Sequence, residues 1–111
     1  MLFSISANYT AQALKAMGEN PNTDRPAAFG KLVSAAGGKV VGFYFTTSDG
    51  PGVLTIIDAK PVAAAAIVGT VTATDSVRDV RMTRLWTNDE VIAVRKKRVE
   101  LQSSYKAPGR Q

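Results

Sequence analysis

The chain begins with a period-two alternation of apolar and polar residues. Four apolar or aromatic positions alternate with serine and asparagine: Phe3, Ile5, Ala7 and Tyr9. This pattern predicts a strand, β1, with one buried face. The apolar spacing then becomes helical after Thr10, which is a suitable N-cap, and Pro21 interrupts that first helix.

A second helix passes almost directly into a second strand. Thr23 or Asp24 is a suitable N-cap for this helix, which we predict to end at Ala36. Gly37 is then well placed for a left-handed C-cap, and a strand-like run begins after Gly38. This junction predicts an α+β domain.

The rest of the chain predicts three strands and a helix between them. β-Branched and aromatic residues predict β2 over residues 40–47 and β3 over residues 53–57. Turn residues over 48–52 favour an antiparallel hairpin between them. We predict an alanine-rich helix over residues 62–73 and strand β4 over residues 77–86.

A capping box introduces a final helix. Thr87 is suited to the N-cap and Glu90 to the N3 position, which predicts a helix over residues 88–104. The order βαββαβ predicts an α+β, ferredoxin-like fold with an antiparallel four-stranded sheet and an added C-terminal helix. We divide the chain into a ferredoxin-like domain over residues 1–88 and a basic C-terminal helix and tail over residues 89–111.

The predicted sheet has one face that its own helices leave uncovered. Strand β2 carries Phe43 and Phe45 on one face and Tyr44 on the other, so both faces are apolar there. Because an uncovered apolar face usually meets a partner, we expect a homodimer or a larger homo-oligomer. The candidate interface residues are Phe43, Phe45, Val91, Ile92 and Tyr105.

Composition removes several kinds of chemistry. The chain has 111 residues and contains no cysteine and no histidine. This excludes disulfides, thiolate metal sites and cysteine nucleophiles, together with zinc hydrolases and Ser-His-Asp triads that depend on histidine. We therefore expect no metal and no cofactor. We also expect a cytoplasmic protein with no membrane span, because no basic signal segment or long apolar run is present.

The net charge of +5 is concentrated in the last third of the chain. The candidates for contact with a polyanion are Arg95, Lys96, Lys97 and Arg98. Successive helical residues point about 100° apart, and no aromatic residue alternates with these cations for base stacking. We therefore favour a solvated face or salt bridges between subunits over nucleic-acid binding. Strict alternation along β4 also predicts that Arg81 faces away from Arg78 and Arg84.

Several motifs, in order along the chain, resemble the GYD-domain family. They are Asn8-Tyr9-Thr10-Ala11-Gln12, Arg25 with Ala28-Phe29 and Lys31-Leu32, Gly37-Gly38-Lys39-Val40, and Gly42-Phe43-Tyr44-Phe45-Thr46. The resemblance covers roughly residues 1–88 and implies a ferredoxin-like domain of the dimeric α+β barrel type. It implies little chemistry, because the family has no established general activity. The family's Gly-Tyr-Asp segment falls on the β2–β3 turn, where this chain has Ser48-Asp49-Gly50-Pro51-Gly52, so no role of that tyrosine transfers.

Four residues near strand ends are candidates for lining a ligand pocket: Asn8, Tyr9, Tyr44 and Trp86. Relatives of this barrel type include cofactor-independent oxygenases and small-molecule binders, so the resemblance implies an apolar pocket between sheet and helices. A simpler interpretation is that Asn8 and Thr10 end β1 and cap a helix, while Trp86 fills a core or an interface. Asp49 is suited to acid–base chemistry, but aspartate is also a common turn residue.

Three hypotheses remain for function, and none assigns a catalytic residue. The first is a homo-oligomeric α+β protein without enzymatic activity that acts in assembly or binds a small apolar ligand. The second is a cofactor-independent oxygenase or isomerase that acts on an aromatic or quinone-like molecule. The third is electrostatic nucleic-acid binding through residues 95–98.

Overall fold

Four antiparallel strands form one sheet in the computed structural model, which describes residues 1–47 and 49–110. The strands are β1 (Leu2–Tyr9), β2 (Lys39–Thr46), β3 (Gly52–Asp58) and β4 (Val77–Leu85). Their order across the sheet is β2-β3-β1-β4, which is the order of a ferredoxin-like fold. The predicted α+β class is therefore confirmed. In the predicted β2–β3 turn, Ser48 lies outside the described residues.

The helices also follow the predicted pattern. They are α1 (Ala11–Glu19), α2 (Arg25–Ala35), α3 (Pro61–Ala73) and α4 (Asn88–Leu101), and the 3-10 turn Gln102–Ser104 continues α4. The final helix was predicted to reach residue 104, so its last three residues are wound more tightly than expected. The added C-terminal helix is confirmed.

Local capping interactions explain where the helices begin and end. The Thr10 hydroxyl accepts a hydrogen bond of 3.2 Å from a first-turn N–H of α1, and the Asp24 carboxylate accepts one of 3.0 Å in α2. Gly37 has φ +81°, which suits the left-handed residue that ends α2. Thr87 and Glu90 form the predicted capping box at the start of α4.

The core lies between one face of the sheet and helices α2 and α3. Its buried residues are Phe3, Ile5, Val33, Ile57, Ala59, Ala64 and Ile67. A second cluster, under α1, contains Ala7, Tyr9 and Val77. Both clusters take the odd-numbered residues of β1, as the period-two pattern predicted. Each large aliphatic side chain buried in this way contributes roughly 1.5–3 kcal/mol.

A bulge in β4 changes which side chains share a face of the sheet. Asn8 pairs with Arg78 and Ser6 pairs with Arg81, so three steps along β4 match two steps along β1. Asp79 belongs to this bulge, and its backbone is in the left-handed region, with φ +55°. Arg78 and Arg81 therefore lie on the same outer face of the sheet.

The prediction that Arg81 faces away from Arg78 was consequently wrong. It assumed strict alternation along β4, and one inserted residue reverses the faces of the residues that follow. The part of the prediction that separates Arg81 from Arg84 is confirmed, because Arg84 pairs with Phe3 on the helix-facing side.

Helix α4 extends away from the sheet and makes the molecule long. The described chain measures 65 × 31 × 22 Å, with a radius of gyration of 18.6 Å, against about 13 Å for a compact domain of this length. All residues from Ile92 to Leu101 are exposed, so most of α4 gains little stability from its own domain. An isolated helix shorter than about 12–15 residues is marginally stable in water, so α4 is a candidate for contact with another molecule.

Candidate ligand-binding site

A cavity of about 200 Å³ lies between the sheet and helices α2 and α3. Its apolar walls include Ile5, Ala7, Phe29, Leu32, Ile67 and Val71. The alternation along β1 directs the first two of these residues toward the helices, and the helical spacing of α2 and α3 directs the others toward the sheet. This arrangement produces a space suited to an apolar molecule.

Aromatic rings close the side of this cavity nearest to β2. Phe29 of α2 and Phe43 of β2 pack edge to face, with ring centroids 5.8 Å apart and an interplanar angle of 61°. Phe43 packs in the same way against Phe45, at 5.4 Å. Edge-to-face pairs of this kind stabilise the packing beyond simple burial. Phe29 and Phe43 therefore form an aromatic wall on this side of the cavity.

The polar groups of the cavity are concentrated at one end. Tyr9 ends strand β1, Arg25 begins helix α2, and Thr74 and Ser76 belong to the turn before β4. Deeper in the cavity, the buried Thr55 hydroxyl donates to the Ile5 carbonyl oxygen at 3.1 Å. Because that bond occupies the hydroxyl proton, the donors available to a ligand lie at the Tyr9 and Arg25 end.

Tyr9 and Arg25 interact electrostatically. Burial raises the pKa of the Tyr9 hydroxyl above 10.0, because the phenolate would be poorly solvated, while the charge and hydrogen bonding of Arg25 partly oppose that rise. Tyr9 is only 9% exposed. The phenol is therefore neutral at physiological pH and is a hydrogen-bond donor beside a permanent cation.

The Arg25 guanidinium lacks a carboxylate partner among the described residues. The neighbouring Asp24 carboxylate instead caps α2, and the side-chain ion pairs of residues 1–47 and 49–110 involve Arg78, Arg84 and Lys97. Arg25 and Tyr9 also line a recess of about 300 Å³ beneath α1, so the pair stands between two cavities. The cation can reach an anion from either side.

A second, more polar depression lies on the outer face of the sheet. Its volume is about 510 Å³, and its polar lining includes Ser6, Asn8, Thr46, Asp49 and Arg81. The bulge in β4 brings Arg81 to the lining of this depression. Apolar residues such as Leu54 lie beside it, so the outer face is mixed in character.

The structure does not bring the four predicted pocket residues together. Tyr9 lines the helix–sheet cavity, whereas Asn8 and Tyr44 lie on the outer face, where Tyr44 is 60% exposed. Trp86 follows the end of β4 that pairs with the start of β1, so it lies roughly 25 Å from Tyr9 at the usual rise along a strand. Asp49 lines only the outer depression.

The candidate interface and polyanion residues also have defined positions. Phe43 and Phe45 lie on the helix-facing side of β2, although Phe45 is 61% exposed at the sheet edge. Ile92 and Tyr105 are exposed, and Val91 is partly exposed. The basic run, Arg95, Lys96, Lys97 and Arg98, is exposed along α4, with Lys97 bonded to Glu100 at 3.2 Å.

Arg25 is the site residue that the sequence analysis did not single out as functional. A signal was present, because a cation in the first turn of a helix opposes the helix macrodipole. Local conflicts of this kind are expected at functional positions.

Two further kinds of site are absent from the part of the chain that the structure describes. Within it, no group of three or more carboxylates is placed to hold a metal ion. The described helices include none with the length and apolar character needed to cross a bilayer.

Strand order and helix placement define a ferredoxin-like α+β protein with a cavity between its two layers. The model of the GYD domain family matches residues 3–94, so the chain belongs to the GYD domain family, and the resemblance seen in the sequence is confirmed. The match ends inside α4, beyond the boundary near residue 88 that the motifs indicated. A search of curated proteins finds no match.

Proposed function

We propose that this protein binds a small, largely apolar molecule in the helix–sheet cavity without transforming it chemically. The observation that carries this proposal is the cavity itself, with apolar walls and a polar end formed by Tyr9 and Arg25. Ligand sites commonly combine apolar walls with a few placed polar groups. Tyr9 and Arg25 are the ionisable groups among the described lining residues, and neither is a general base at neutral pH. Binding is therefore better supported than catalysis.

The cavity volume limits the size of the ligand. A dry apolar cavity of about 150 Å³ accommodates benzene in an engineered protein. The helix–sheet cavity, with a volume of about 200 Å³, has room for one ring and a small substituent. A nucleotide or a long-chain lipid would extend well beyond it.

Titration with toluene, followed through backbone amide NMR shifts, tests this proposal. We expect saturable shifts at amides around the cavity. The Ala28→Leu variant adds bulk to the cavity lining and should weaken toluene binding at least tenfold. Ala27→Leu is the matched control, because its position on α2 does not line the cavity. Absence of saturable shifts in the native protein, with toluene and with polar and anionic analogues of the same size, would reject the proposal.

A second candidate role is assembly with further copies of the same chain. Helix α4 favours it, because its exposed apolar side chains fall in two columns, Ile92 with Val99 and Val94 with Leu101. Positions seven apart lie on nearly the same side of a helix. Two narrow columns separated by arginines suit contacts with two neighbouring subunits. In this proposal residues 1–88 form the binding domain and residues 89–111 extend the assembly.

The outer sheet face would supply the principal contact between two copies. Tyr44, Leu54 and Ile56 form an apolar area on β2 and β3, while β1 and β4 carry mostly polar side chains there, with Leu2 paired to Leu85 at one end. A second copy of the chain suits this face, because a two-fold axis can bring the apolar area of one copy against the same area of the other. The polar side chains around the depression could then remain hydrated.

Sedimentation equilibrium at micromolar concentration tests this second role. We expect a dimer or a larger species that Leu54→Lys dissociates, and a chain that ends at Thr87 should form a smaller assembly. Val62→Lys is the control, because Val62 is 83% exposed on α3, away from the outer face. A native protein that sediments as a monomer would contradict self-association.

A further inference from the structure

We propose that the helix–sheet cavity selects a small organic monoanion, in which an apolar body about the size of one ring carries a carboxylate or a similar oxyanion bound by Arg25. This inference rests on the proposed binding function and adds the charge, size and anchoring residue of the ligand. The structure supports it through the position of Arg25, the surrounding side chains and the shape of the cavity.

Arg25 is a cation at a helix N-terminus where the adjacent carboxylate, Asp24, is engaged in capping the helix rather than in an ion pair. Arg25 is the first residue of α2, where the helix dipole already presents partial positive charge. Its side chain is partly buried at the cavity end, and among residues 1–47 and 49–110 no carboxylate forms an ion pair with it. A bound oxyanion would supply the missing countercharge, and a guanidinium fork matches the geometry of a carboxylate.

Tyr9 completes the recognition of such an oxyanion. Its hydroxyl stays protonated at neutral pH because burial disfavours the phenolate, so it can donate a hydrogen bond to one carboxylate oxygen. Arg25 would donate to the other oxygen. Since the two side chains lie together at one end of the cavity, the apolar body of the ligand would extend between α2 and the sheet.

The remaining lining argues against a dianion or a polar ligand. Phe29 and Phe43 pack together on one side, and aliphatic side chains form most of the other walls. One cation balances one negative charge, and a second charge deeper in the cavity would be desolvated without a partner. The volume of about 200 Å³ restricts the body to roughly one ring or a short chain by comparison with cavities that bind benzene.

The test compares two compounds of nearly equal shape. 4-Methylbenzoate carries the proposed charge and 4-methylbenzamide does not, and both are titrated against the native full-length chain by amide NMR shifts. We expect 4-methylbenzoate to bind about ten- to a hundredfold more tightly, which is the range expected for hydrogen bonds to a charged group. Both compounds should shift amides around the same cavity.

Variants then assign the preference to Arg25. Arg25→Gln should bring the affinity for 4-methylbenzoate to within a few-fold of that for 4-methylbenzamide, and should change the amide's own affinity much less. Lys31→Gln removes the same charge from an exposed position on α2 and should alter neither affinity. Tyr9→Phe should weaken only 4-methylbenzoate, by a few-fold.

The outcomes separate this inference from the proposed function. If both compounds bind the native protein equally, the cavity is a binding site but the anion selectivity is refuted. If the preference exists but survives in Arg25→Gln, Arg25 is not the anchor and the inference fails. If toluene, the amide and the benzoate all fail to bind, the binding function itself is rejected. The comparison of 4-methylbenzoate with 4-methylbenzamide in the native protein tests the anion selectivity even if Arg25→Gln does not fold.

Discussion

The Arg84 guanidinium of β4 donates a hydrogen bond of 2.5 Å to the Glu90 carboxylate of α4. The same guanidinium lies 4.4 Å from the centroid of the Trp86 ring and 5.9 Å from that of Phe3. Glu90 in turn accepts a hydrogen bond of 3.0 Å from the Thr87 backbone N–H in the capping box. One partly buried cation therefore connects the sheet, the aromatic side chains and the start of α4.

Replacing Arg84 should loosen α4 without unfolding the sheet. In Arg84→Met the aliphatic packing is largely kept, but the cation–π contacts and the ion pair are lost. We expect amide hydrogen exchange around Trp86 and the first turn of α4 to become about two- to fivefold faster, which is the range for loss of one cation–π contact. Exchange in β1 should be unchanged. Arg81→Met is the control, because Arg81 lies on the opposite face, and equal effects in the two variants would contradict this role for Arg84.

Glu90 should make the start of α4 sensitive to acid. The Thr87 backbone hydrogen bond, followed by the Arg84 contact, lowers the pKa of Glu90 from its ordinary value of 4.5. Because the folded pKa is below the unfolded one, the stabilisation is present above the unfolded value and is lost as the pH falls through the folded pKa. Carboxyl NMR should show a Glu90 midpoint below 4.5. Glu90→Gln should remove the acid dependence of the protection factors in α4, and a Glu90 midpoint at or above 4.5 would exclude this mechanism.

Much of the fold could be predicted because its determinants are local. The period of two in β1, the Thr10 and Thr87 caps and the left-handed Gly37 depend on neighbours within a few residues, and each occurs as expected. The bulge at Asp79 could not be predicted from the alternation of apolar and polar residues. Most residues around it in β4 are polar or charged, so an inserted residue does not visibly interrupt the pattern.

The site was harder to predict because tertiary packing assembles it. Asn8 and Tyr9 are adjacent in sequence but face opposite sides of the sheet. Tyr9 ends β1 and Trp86 follows β4, yet the antiparallel pairing of these strands places the two residues at opposite ends of the sheet. Arg25 reaches Tyr9 only because α2 packs across the sheet at the end of β1. Lying near the end of a strand therefore does not predict that two residues share a site. The sheet face of each residue and the direction of each strand are also needed.

Two glycines should respond in opposite directions to the same substitution. A Cβ at Gly52 would lie 2.4 Å from the Ala7 carbonyl oxygen and 2.8 Å from the Asn8 side-chain oxygen, so Gly52→Ala forces neighbouring strands apart. We expect it to lower the free energy of unfolding by roughly 1–3 kcal/mol. Gly69→Ala lies on α3 with nothing within 4 Å of the added Cβ and should raise it by roughly 0.5–1 kcal/mol. Urea denaturation measures both, and a neutral Gly52→Ala would show that the strands can separate at low cost.

Tyr9 should be identifiable by alkaline titration. Because burial raises its pKa above 10.0, its phenolate absorbance near 295 nm should appear only above pH 10 and should be missing in Tyr9→Phe. The folded pKa exceeds the unfolded one, so the neutral phenol stabilises the fold below the unfolded value of about 10. That stabilisation is lost as the pH rises through the folded pKa. Urea denaturation should therefore show stability falling more steeply above pH 10 in the native chain than in Tyr9→Phe.

Tyr44→Phe, on the outer face, is the matched control and should keep the late titration. If the late-titrating signal instead disappeared in Tyr44→Phe and persisted in Tyr9→Phe, Tyr9 would not be the buried donor that the cavity requires.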